Sequence, residues 1–372
     1  MNNHIPLYVQ IAENLKEQIL EGKKPIGTKF AAEPEFAKLF AVNRLTLRRA
    51  VKELCTLGLV KRVHGKGTFV ISKTIRNGFD TDHRKNELLS LKDKKNITVL
   101  LNDVPSLFTS EVLKGIQAKL DKSGYKLILC ETENKNKKIV EYIERDKDSA
   151  SGFILAPPPG KRDHSYLDLF LKGKIPLVFV DRYLPEFNSD AVVSDNETGG
   201  YLATRHLLNL GHRTIAALSV GNATSILERI KGYKKALTEH GVRTKDKIIL
   251  TIDNDKFESG EVLIEKALKK YPEITAAFCV NDNIGWGCLR KLAELNIKVP
   301  EDFSVVSFDN LYFTSKLTPP LTTINQQRYQ MGWKSAEILI NRAEGKLRGK
   351  GKIIRLPVRL VQRKSTGKVR ND

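Results

Sequence analysis

The chain has 372 residues, of which 41% are apolar, and its formal net charge is +20 at pH 7. This length predicts two or three domains, and the apolar content excludes a wholly disordered chain. The positive charge favours a polyanionic partner such as nucleic acid, although an anionic membrane surface attracts it equally well on charge alone.

The N-terminus, MNNHIPLYVQIAENL, is polar and contains acids, unlike a secretory signal, and no apolar run is long enough to span a bilayer. The four cysteines, Cys55, Cys130, Cys279 and Cys288, lack the spacing of metal ligands and lie in apolar surroundings. We therefore expect a soluble cytoplasmic protein with reduced thiols, no metal, no cofactor and no membrane partner.

Residues 1–73 have the pattern of three helices followed by a hairpin. The apolar positions at helical spacing are, helix by helix, Leu7, Ile11, Leu15 and Ile19; Phe36, Leu39 and Phe40; and Leu47, Val51 and Leu54. Asn43 is a suitable N-cap for the third helix. LVKRV and TFVIS then predict two short strands joined at His64-Gly65-Lys66-Gly67. Three helices and a hairpin predict a winged helix-turn-helix.

The third predicted helix leaves Arg44, Thr46 and Arg48 near its exposed N-terminal end, where a recognition helix contacts bases and phosphates. The alternative is that the arginines only solvate a surface helix. The glycines around Lys66 do not form a nucleotide-binding P-loop, because Gly67 follows the lysine and a strand follows the loop. A wing tip that approaches DNA fits this loop better.

The segment PLYVQIAENLKEQILEGKKPIGTKF, followed by AEPEFAKLFAVNRLTLRRAVKELCTLGLVKRVHGKGTFV, resembles the GntR-type winged-helix DNA-binding domain along its whole length. By that resemblance, one set of residues would form the reading end of the recognition helix and another the wing. The first set is Asn43, Arg44, Leu45, Thr46 and Arg48, and the second is Gly65, Lys66 and Gly67.

Residues 74–95 are polar and charged, which indicates a linker with a short helix around Glu87 to Leu91. From residue 96 to 372, segments rich in β-branched residues alternate with helical segments, as in ITVLL, then SEVLKGIQAKLDKSG, then YKLILC. Such alternation predicts an α/β unit with parallel sheets covered on both faces, whose ligands bind beyond the carboxyl ends of the strands.

Polar side chains follow several of these predicted strands. They are Asp181 and Arg182, Asn281 and Asp282, and Asp309 and Asn310, with Arg229 opening a later helix and Phe108 after the first strand. Carboxylates, amides and an arginine in one crevice suit a polyhydroxylated ligand. The alternative for each aspartate or asparagine is that it caps the helix that follows.

The pieces IPLVFVDRY, VVSDNETGGYLATRHLLNLGHRTIAAL and AAFCVNDNIGWGCLRKLAELNIKVPEDFSVVSFDN resemble LacI/GalR-type regulators and their periplasmic sugar-binding relatives. This resemblance implies a two-lobed, periplasmic-binding-protein-like effector domain. The effector pocket that it implies comprises Phe108, Asp181, Arg182, Arg229, Asn281, Asp282 and Asp309. The first lobe would hold roughly residues 96–213 with a late crossing near 321–327, and the second roughly 214–320. The helix from Tyr329 would return to the first lobe.

A GntR-type head joined to a LacI-type body resembles the AraR class of arabinose-responsive repressors. The combination implies a homodimeric regulator that binds double-stranded operator DNA and is released by a small sugar, with an arabinose-like pentose favoured. A sugar phosphate or a purine remains an alternative effector. An effector that strengthens operator binding, as a corepressor, also remains an alternative.

We expect no enzymatic activity, because the sequence has no G-x-S-x-G, H-E-x-x-H or Walker motif and its seven histidines are scattered. His206 and His212 flank the end of a predicted helix, where a structural role is favoured over a catalytic one.

Overall fold

The computed structural model describes residues 7–31, 33–63, 67–72, 95–159, 164–242, 248–253 and 255–369, apart from the side chains of residues 33, 34 and 56. The chain divides into two compact units between residues 91 and 92. The proposed linker helix near residues 87–91 and the wing-tip residues Gly65 and Lys66 lie outside the described residues.

The smaller unit contains three helices and a two-stranded antiparallel hairpin. Its elements are α1 (Leu7–Leu20), α2 (Glu33–Leu39), α3 (Arg44–Thr56), β1 (Val60–Val63) and β2 (Gly67–Val70). In the hairpin, Val60 pairs with Val70 and Val63 with Gly67. Gly67 has a φ of +114°, which glycine adopts without the steric strain that a side chain would bring. This arrangement is the predicted winged helix-turn-helix.

One apolar core holds the smaller unit together. Leu15, Ile19, Leu47 and Leu54 are almost completely buried, as helical spacing predicted. Leu7 and Leu39, which belong to the same apolar patterns, are largely exposed. Leu7 is the first residue of α1 and Leu39 the last of α2, so both lie at helix ends, beyond the faces that the other helices cover.

The larger unit alternates strands and helices as predicted. Residues 95–194 form β3 (Asn96–Leu101), α4 (Leu107–Lys122), β4 (Lys126–Glu131), α5 (Asn136–Asp146), β5 (Ala150–Leu155), α6 (Leu167–Gly173), β6 (Leu177–Val180) and β7 (Asp190–Ser194). Residues 195–327 form α7 (Asn196–Asn209), β8 (Ile215–Val220), α8 (Thr224–Glu239), β9 (Ile248–Ile252), α9 (Phe257–Lys270), β10 (Ala276–Cys279), α10 (Asp282–Glu294), β11 (Ser304–Asp309), a 3₁₀ turn (Tyr312–Ser315) and β12 (Thr322–Asn325). The remainder forms α11 (Arg328–Ala343), β13 (Ile353–Leu356) and β14 (Arg359–Val361).

Two six-stranded sheets divide the larger unit into two lobes. The first-lobe sheet has the order β13-β7-β6-β5-β3-β4 and the second-lobe sheet β14-β12-β11-β10-β8-β9. All the pairings are parallel except that of β12 with β14. Helices pack on both faces of each sheet and bury the apolar strands. The α/β fold class is therefore as predicted.

The lobe boundaries differ from the predicted ones. Helix α7 packs against α8 and β11, so the chain leaves the first lobe after Ser194 rather than near residue 213. Strand β12 pairs with β11, so residues 322–325 belong to the second lobe, and the expected late crossing near 321–327 follows this strand. Helix α11 packs on α4 in the first lobe, as expected. The chain therefore crosses between the lobes after β7, after β12 and between β13 and β14.

Two glycines bring α7 and α8 into backbone contact. A Cβ on Gly200 would lie 2.0 Å from the carbonyl oxygen of Arg229, and a Cβ on Gly232 would lie 2.0 Å from that of Glu197. Only glycine fits at both positions, because any side chain would push the helices apart. This close packing brings Arg229 beside Asn196 at the start of α7.

None of the helices in the described part of the chain combines the length and the apolar character that a membrane-spanning segment requires.

Candidate DNA-binding surface and ligand cleft

The N-terminal end of α3 presents a basic, exposed surface. Arg44 and Arg48 are exposed, whereas Leu47 on the opposite face is buried. Leu45 is also exposed, at 61%, which leaves an apolar side chain available at the surface. The predicted reading residues therefore lie together on one face of the smaller unit.

Asn43 and Thr46 are joined by the helix cap. The Asn43 side-chain oxygen accepts hydrogen bonds from the Thr46 backbone N–H at 2.8 Å and from its hydroxyl at 3.0 Å. This cap satisfies an otherwise unpaired N–H of the first turn and orients the end of α3. Arg49 and Lys52 are further exposed cations of α3 that sequence reasoning did not single out.

A cleft of about 500 Å³ lies between the two lobes of the larger unit. Residues that follow the carboxyl ends of β3, β5, β6, β8, β9, β10 and β11 contribute to its walls. Parallel strands direct their carboxyl ends to the same edge, so both sheets present their loops to this space. Of the seven predicted pocket residues, the cleft wall includes Phe108, Asp181, Arg182, Arg229, Asn281 and Asp309.

Arg229 and Asp309 form a buried pair at the cleft. Arg229 is 4% exposed and Asp309 8%. The Arg229 guanidinium lies 3.4 Å from the Asp309 carboxylate, donates to Asn196 at 3.0 Å and to the Val280 carbonyl at 2.7 Å, and stacks 3.7 Å from the centre of the Phe308 ring. The arginine is thus held in place by groups of the protein itself.

Asp309 connects the cleft to the chain crossings. Gln326 donates a hydrogen bond to its carboxylate at 2.5 Å and accepts one from Ser194 at 2.6 Å. Ser194 ends β7 and Gln326 follows β12, where the chain passes between lobes. Burial raises the pKa of Asp309 to about 7, against the lowering effect of Arg229. Its φ of +117° is a strained backbone conformation of the kind that clusters at binding sites.

Asp181 and Arg182 form the first-lobe counterpart, with looser contacts. The Arg182 guanidinium lies 3.4 Å from Asp181 and donates to Asn102 at 3.3 Å. Both side chains keep part of their surface exposed, at 15% for Arg182 and 17% for Asp181. Asp181 has a left-handed φ of +68° directly after β6. This pair can rearrange around a ligand more easily than the buried Arg229–Asp309 pair.

Asn281 caps a helix and also faces the cleft. Its side-chain oxygen accepts a hydrogen bond from the Ile284 N–H at 3.0 Å, which is the capping role weighed against ligand binding. Its amide nitrogen donates to Asp255 at 2.7 Å. Asn281 thereby orients a second carboxylate on the cleft wall, so capping and pocket formation occur in the same residue.

Asp282 is not part of the cleft, contrary to expectation. It is fully buried, and its carboxylate accepts hydrogen bonds from the Ser307 hydroxyl at 2.5 Å, the Thr323 hydroxyl at 2.7 Å and the Leu311 N–H at 2.6 Å. These hydrogen bonds join β11, β12 and the loop that follows β11 behind the cleft. As the first residue of α10 it lies one position past the capping Asn281, and the helix carries its side chain inward rather than to the rim of the cleft.

Several cleft residues were missed by sequence reasoning. They are Asn102 and Asp103 after β3, Asn222 after β8, and Asp253, Asp255 and Lys256 after β9. The signal that located Asp181 and Asp309 applies equally to these loops, since each contains polar residues at a strand end. Burial within the cleft raises the pKa of Asp255, and the neighbouring arginines oppose that rise.

A hydrogen-bonded triad joins the lobes outside the cleft. Glu228 of α8 accepts a hydrogen bond from the Tyr183 hydroxyl at 2.9 Å and two from the Arg355 guanidinium at 2.7 and 2.9 Å. Tyr183 follows β6 and Arg355 lies in β13, so both partners belong to the first lobe. The Tyr183 N–H and carbonyl also bond the Thr224 hydroxyl of the second lobe at 3.1 and 2.9 Å. These contacts hold the two lobes in their present arrangement.

His206 and His212 have structural roles, as expected. His206 bonds the Thr366 hydroxyl at 2.9 Å, and His212 bonds the Thr275 hydroxyl at 2.9 Å and the Gly367 carbonyl at 3.1 Å. Burial lowers the pKa of both imidazoles. They anchor the C-terminal segment to the second lobe, away from the cleft.

The two units match two known families. Residues 7–70 match the bacterial regulatory proteins of the gntR family, and residues 204–366 match the periplasmic binding protein-like domain. The chain is 27% identical to the arabinose metabolism transcriptional repressor of Geobacillus stearothermophilus over 98% of this chain and 99% of the relative. It is 32% identical to the transcriptional repressor PurR of Vibrio atlanticus over 69% of this chain and 77% of the relative.

The larger unit also resembles solved structures. A LacI family transcriptional regulator from Enterococcus faecium, crystallised with bound ribose, is 31% identical and superposes with a TM-score of 0.66. The superposition covers 74% of this chain and all of that one. These three relatives are transcriptional regulators and not enzymes.

Proposed function

The chain belongs to the bacterial transcriptional repressors of the LacI type, with a GntR-type DNA-binding unit at its N-terminal end, and we propose that a free, uncharged sugar controls its binding to operator DNA. An arabinose-like pentose is the favoured effector. The empty repressor would bind the operator in the cytoplasm, and the sugar would release it.

The charge of the cleft carries this proposal. Its wall contains five aspartates and three basic residues. The aspartates are Asp103, Asp181, Asp253, Asp255 and Asp309, and the basic residues are Arg182, Arg229 and Lys256. Carboxylates accept hydrogen bonds from sugar hydroxyls, and a charged carboxylate repels a phosphate. Since both arginines already lie against aspartates, the cleft offers a phosphate little free positive charge.

The competing effectors fit the cleft less well. Phe108 is the aromatic residue on the described cleft wall, where it offers one ring face. A purine would gain from stacking on aromatic side chains, whereas a sugar needs the polar groups that dominate this wall. The arabinose repressor of Geobacillus stearothermophilus matches this chain along nearly its whole length, which supports a pentose. The ribose bound to the Enterococcus faecium regulator supports the same size of ligand.

We also propose that two chains form a dimer through an aromatic surface of the second lobe. Phe257 stacks on Trp286 at 5.3 Å, and Trp286 contacts Phe313 at 5.2 Å between ring centres. Trp286 is 39% exposed and the neighbouring Tyr312 76%. Such clustered aromatic exposure is typical of protein interfaces. A two-fold dimer would present two winged helices to the two halves of a symmetric operator.

Release of DNA would follow from a change in the lobe arrangement. A sugar that contacts Asp309 and Arg229 in one lobe and Asp181 in the other binds most tightly to the arrangement that brings all three within reach. Its binding shifts the population towards that arrangement, and the three chain crossings and the linker transmit the shift. A ligand-induced increase in operator affinity would instead indicate corepression.

A thermal-shift experiment on the full-length chain tests the effector. L-arabinose, D-ribose, D-glucose, ribose 5-phosphate and hypoxanthine are compared, with an Asp309→Asn variant as control. A ligand at 100 times its Kd stabilises the native state by about 2.7 kcal/mol, which shifts a melting curve visibly. We expect a pentose to raise the Tm of the wild type and to lose most of this effect in the variant. A shift with only the phosphate or the purine would refute the free-sugar proposal.

A further inference from the structure

The edge of the first-lobe sheet opposite the cleft carries a set of exposed cations. The parallel strands begin at this edge, so these residues precede or open β4, β6 and β13. Six of them, which we name the basic rim, are Lys126, Lys172, Lys174, Arg348, Lys350 and Lys352. All six are exposed, and within the described part of the chain none forms an ion pair with a carboxylate. The rim therefore presents charge that the protein does not neutralise.

Surface lysines elsewhere in the larger unit are more often paired. Lys269 lies 2.7 Å from Glu265, Lys291 2.7 Å from Glu294, and Lys334 2.5 Å from Glu337. At the rim, the exposed Glu344 forms ion pairs with Lys95 and Lys346, which are not among the six. Asp190 forms an ion pair with Arg342. The exposed Asp121 before β4 and the exposed Asp148 before β5 are further carboxylates at this edge. The balance at this edge is strongly positive.

The loop before β13 concentrates this charge in a small space. Its sequence, GKLRGKGK over residues 345–352, alternates glycines with cations. Gly345 and Gly349 have φ values of +69° and +90°, and a Cβ on either would meet nothing within 4 Å. Nothing therefore packs on these two glycines where a Cβ would lie, and the exposed Arg348 and Lys350 side chains beside them are accessible to a large polyanion.

The rim also lies where the polypeptide enters the larger unit. Asn96 begins β3 at this edge, next to the start of β4 at Lys126. The described part of the larger unit therefore begins on the side of the rim, and the cleft opens at the opposite ends of the same strands.

We propose that the basic rim is a second DNA-contacting surface, which binds backbone phosphates of the duplex that the winged helix recognises. The partner is double-stranded DNA, bound without regard to its sequence, because lysines and an exposed arginine on a loop attract phosphate as point charges. The proposal rests on the assignment of the chain as a DNA-binding regulator. It implies that the effector-binding unit adds affinity and salt dependence to that of the winged helix.

The test compares the wild type with a Lys172→Gln, Lys174→Gln, Lys350→Gln, Lys352→Gln variant, both as full-length chains. Binding to a 40-base-pair duplex of mixed sequence is measured by fluorescence anisotropy between 50 and 200 mM KCl. Each phosphate contact contributes about 0.9 to the slope of log K against log salt. We expect the slope to fall by roughly 2 to 4 in the variant, and the affinity at 100 mM KCl to fall at least tenfold.

A second variant controls for net charge. Lys234→Gln, Lys266→Gln, Lys270→Gln and Lys298→Gln together remove four exposed lysines from the second lobe. Since salt screens charges beyond about 10 Å at 0.1 M, this variant should keep the wild-type slope. Equal losses of affinity in both variants, or a wild-type slope in the rim variant, would overturn the proposal that the basic rim contacts DNA. If the wild-type chain did not bind the duplex at all, both the assignment as a DNA-binding regulator and the proposed role of the basic rim would be overturned.

Discussion

Replacing Arg229 with methionine should destabilise the larger unit as well as weaken the proposed response to sugar. Methionine fills much of the volume but removes the charge, so Asp309 remains buried without its cation. Removing one partner of a buried ion pair costs about 3–5 kcal/mol. With roughly 2–4 °C for each kcal/mol in a unit of this size, the Tm should fall by about 6–20 °C.

The structure gives the reason for this magnitude. Arg229 donates to Asn196 and to the Val280 carbonyl in addition to its contact with Asp309, and all of these groups are buried. The variant leaves two acceptors without their donor and a buried carboxylate without its cation. Arg182 provides the matched control, because it faces the same cleft but is more exposed and makes longer contacts at 3.3 and 3.4 Å. Arg182→Met should cost no more than about 1 kcal/mol.

The pH dependence of this loss has a definite sign. The folded-state pKa of Asp309 is raised to about 7 from an ordinary value of 3.8, so the folded chain binds this proton more tightly than the unfolded chain. Its contribution to stability therefore decreases as the pH rises from about 4 to about 7. Arg229 lowers this pKa, so its removal should raise the pKa further and extend the decrease above pH 7. The stability that Arg229→Met loses relative to the wild type should therefore be smaller at pH 5 than at pH 8.

Calorimetry of Arg229→Met, Asp309→Asn and the double variant at pH 5 and pH 8 measures these effects. Asp309→Asn removes the carboxylate that the variant leaves unpaired, so the double variant should lose less than the sum of the two single losses. Additive losses, or a deficit equal at both pH values, would refute the ion pair as the cause. A Tm unchanged in Arg229→Met would refute the buried-pair geometry itself.

Three further outcomes are expected. Arg44→Ala and Arg48→Ala should each reduce operator affinity by about 1–3 kcal/mol and together abolish binding, with the ligand-induced Tm shift unchanged; gel-shift assays with wild-type affinity would remove α3 as the reading helix. Glu228→Gln weakens the contacts with Arg355, so sugar affinity and operator affinity should change several-fold in opposite directions, measured by calorimetry and anisotropy; changes in the same direction would contradict coupling through the lobe arrangement. Trp286→Lys should convert the proposed dimer to a monomer in sedimentation velocity, and a dimer that persists would exclude the aromatic surface as the interface.

Sequence patterns predicted the smaller unit well because local rules determine it. Helical spacing located α1 and α3, and Asn43 was recognisable as an N-cap from its position before the apolar face. The exposure of Leu7 and Leu39 could not be read from spacing, since burial at a helix end depends on how far the neighbouring elements extend.

The lobe boundaries required the three-dimensional structure. The sequence of β12 is compatible with either sheet, because a short apolar strand carries no information about its partner, and its pairing with β11 assigns it to the second lobe. Helix α7 belongs to the second lobe because Gly200 and Gly232 permit close packing on α8. Each choice depends on contacts between residues far apart in the chain.

The sequence by itself determined the order of the elements, the winged helix, the alternation of strands and helices, and five of the polar residues at the cleft. These follow from periodicity and from the rule that parallel strands present their carboxyl ends together. The tertiary structure alone decided that Asp282 is buried behind the cleft while its neighbour Asn281 lines it, that Asp255 and Asp103 join the wall, and that Arg229 is held by Asp309. Adjacent residues at a helix start point in different directions, and distant loops meet only when the lobes are folded, so neither outcome is encoded in local spacing.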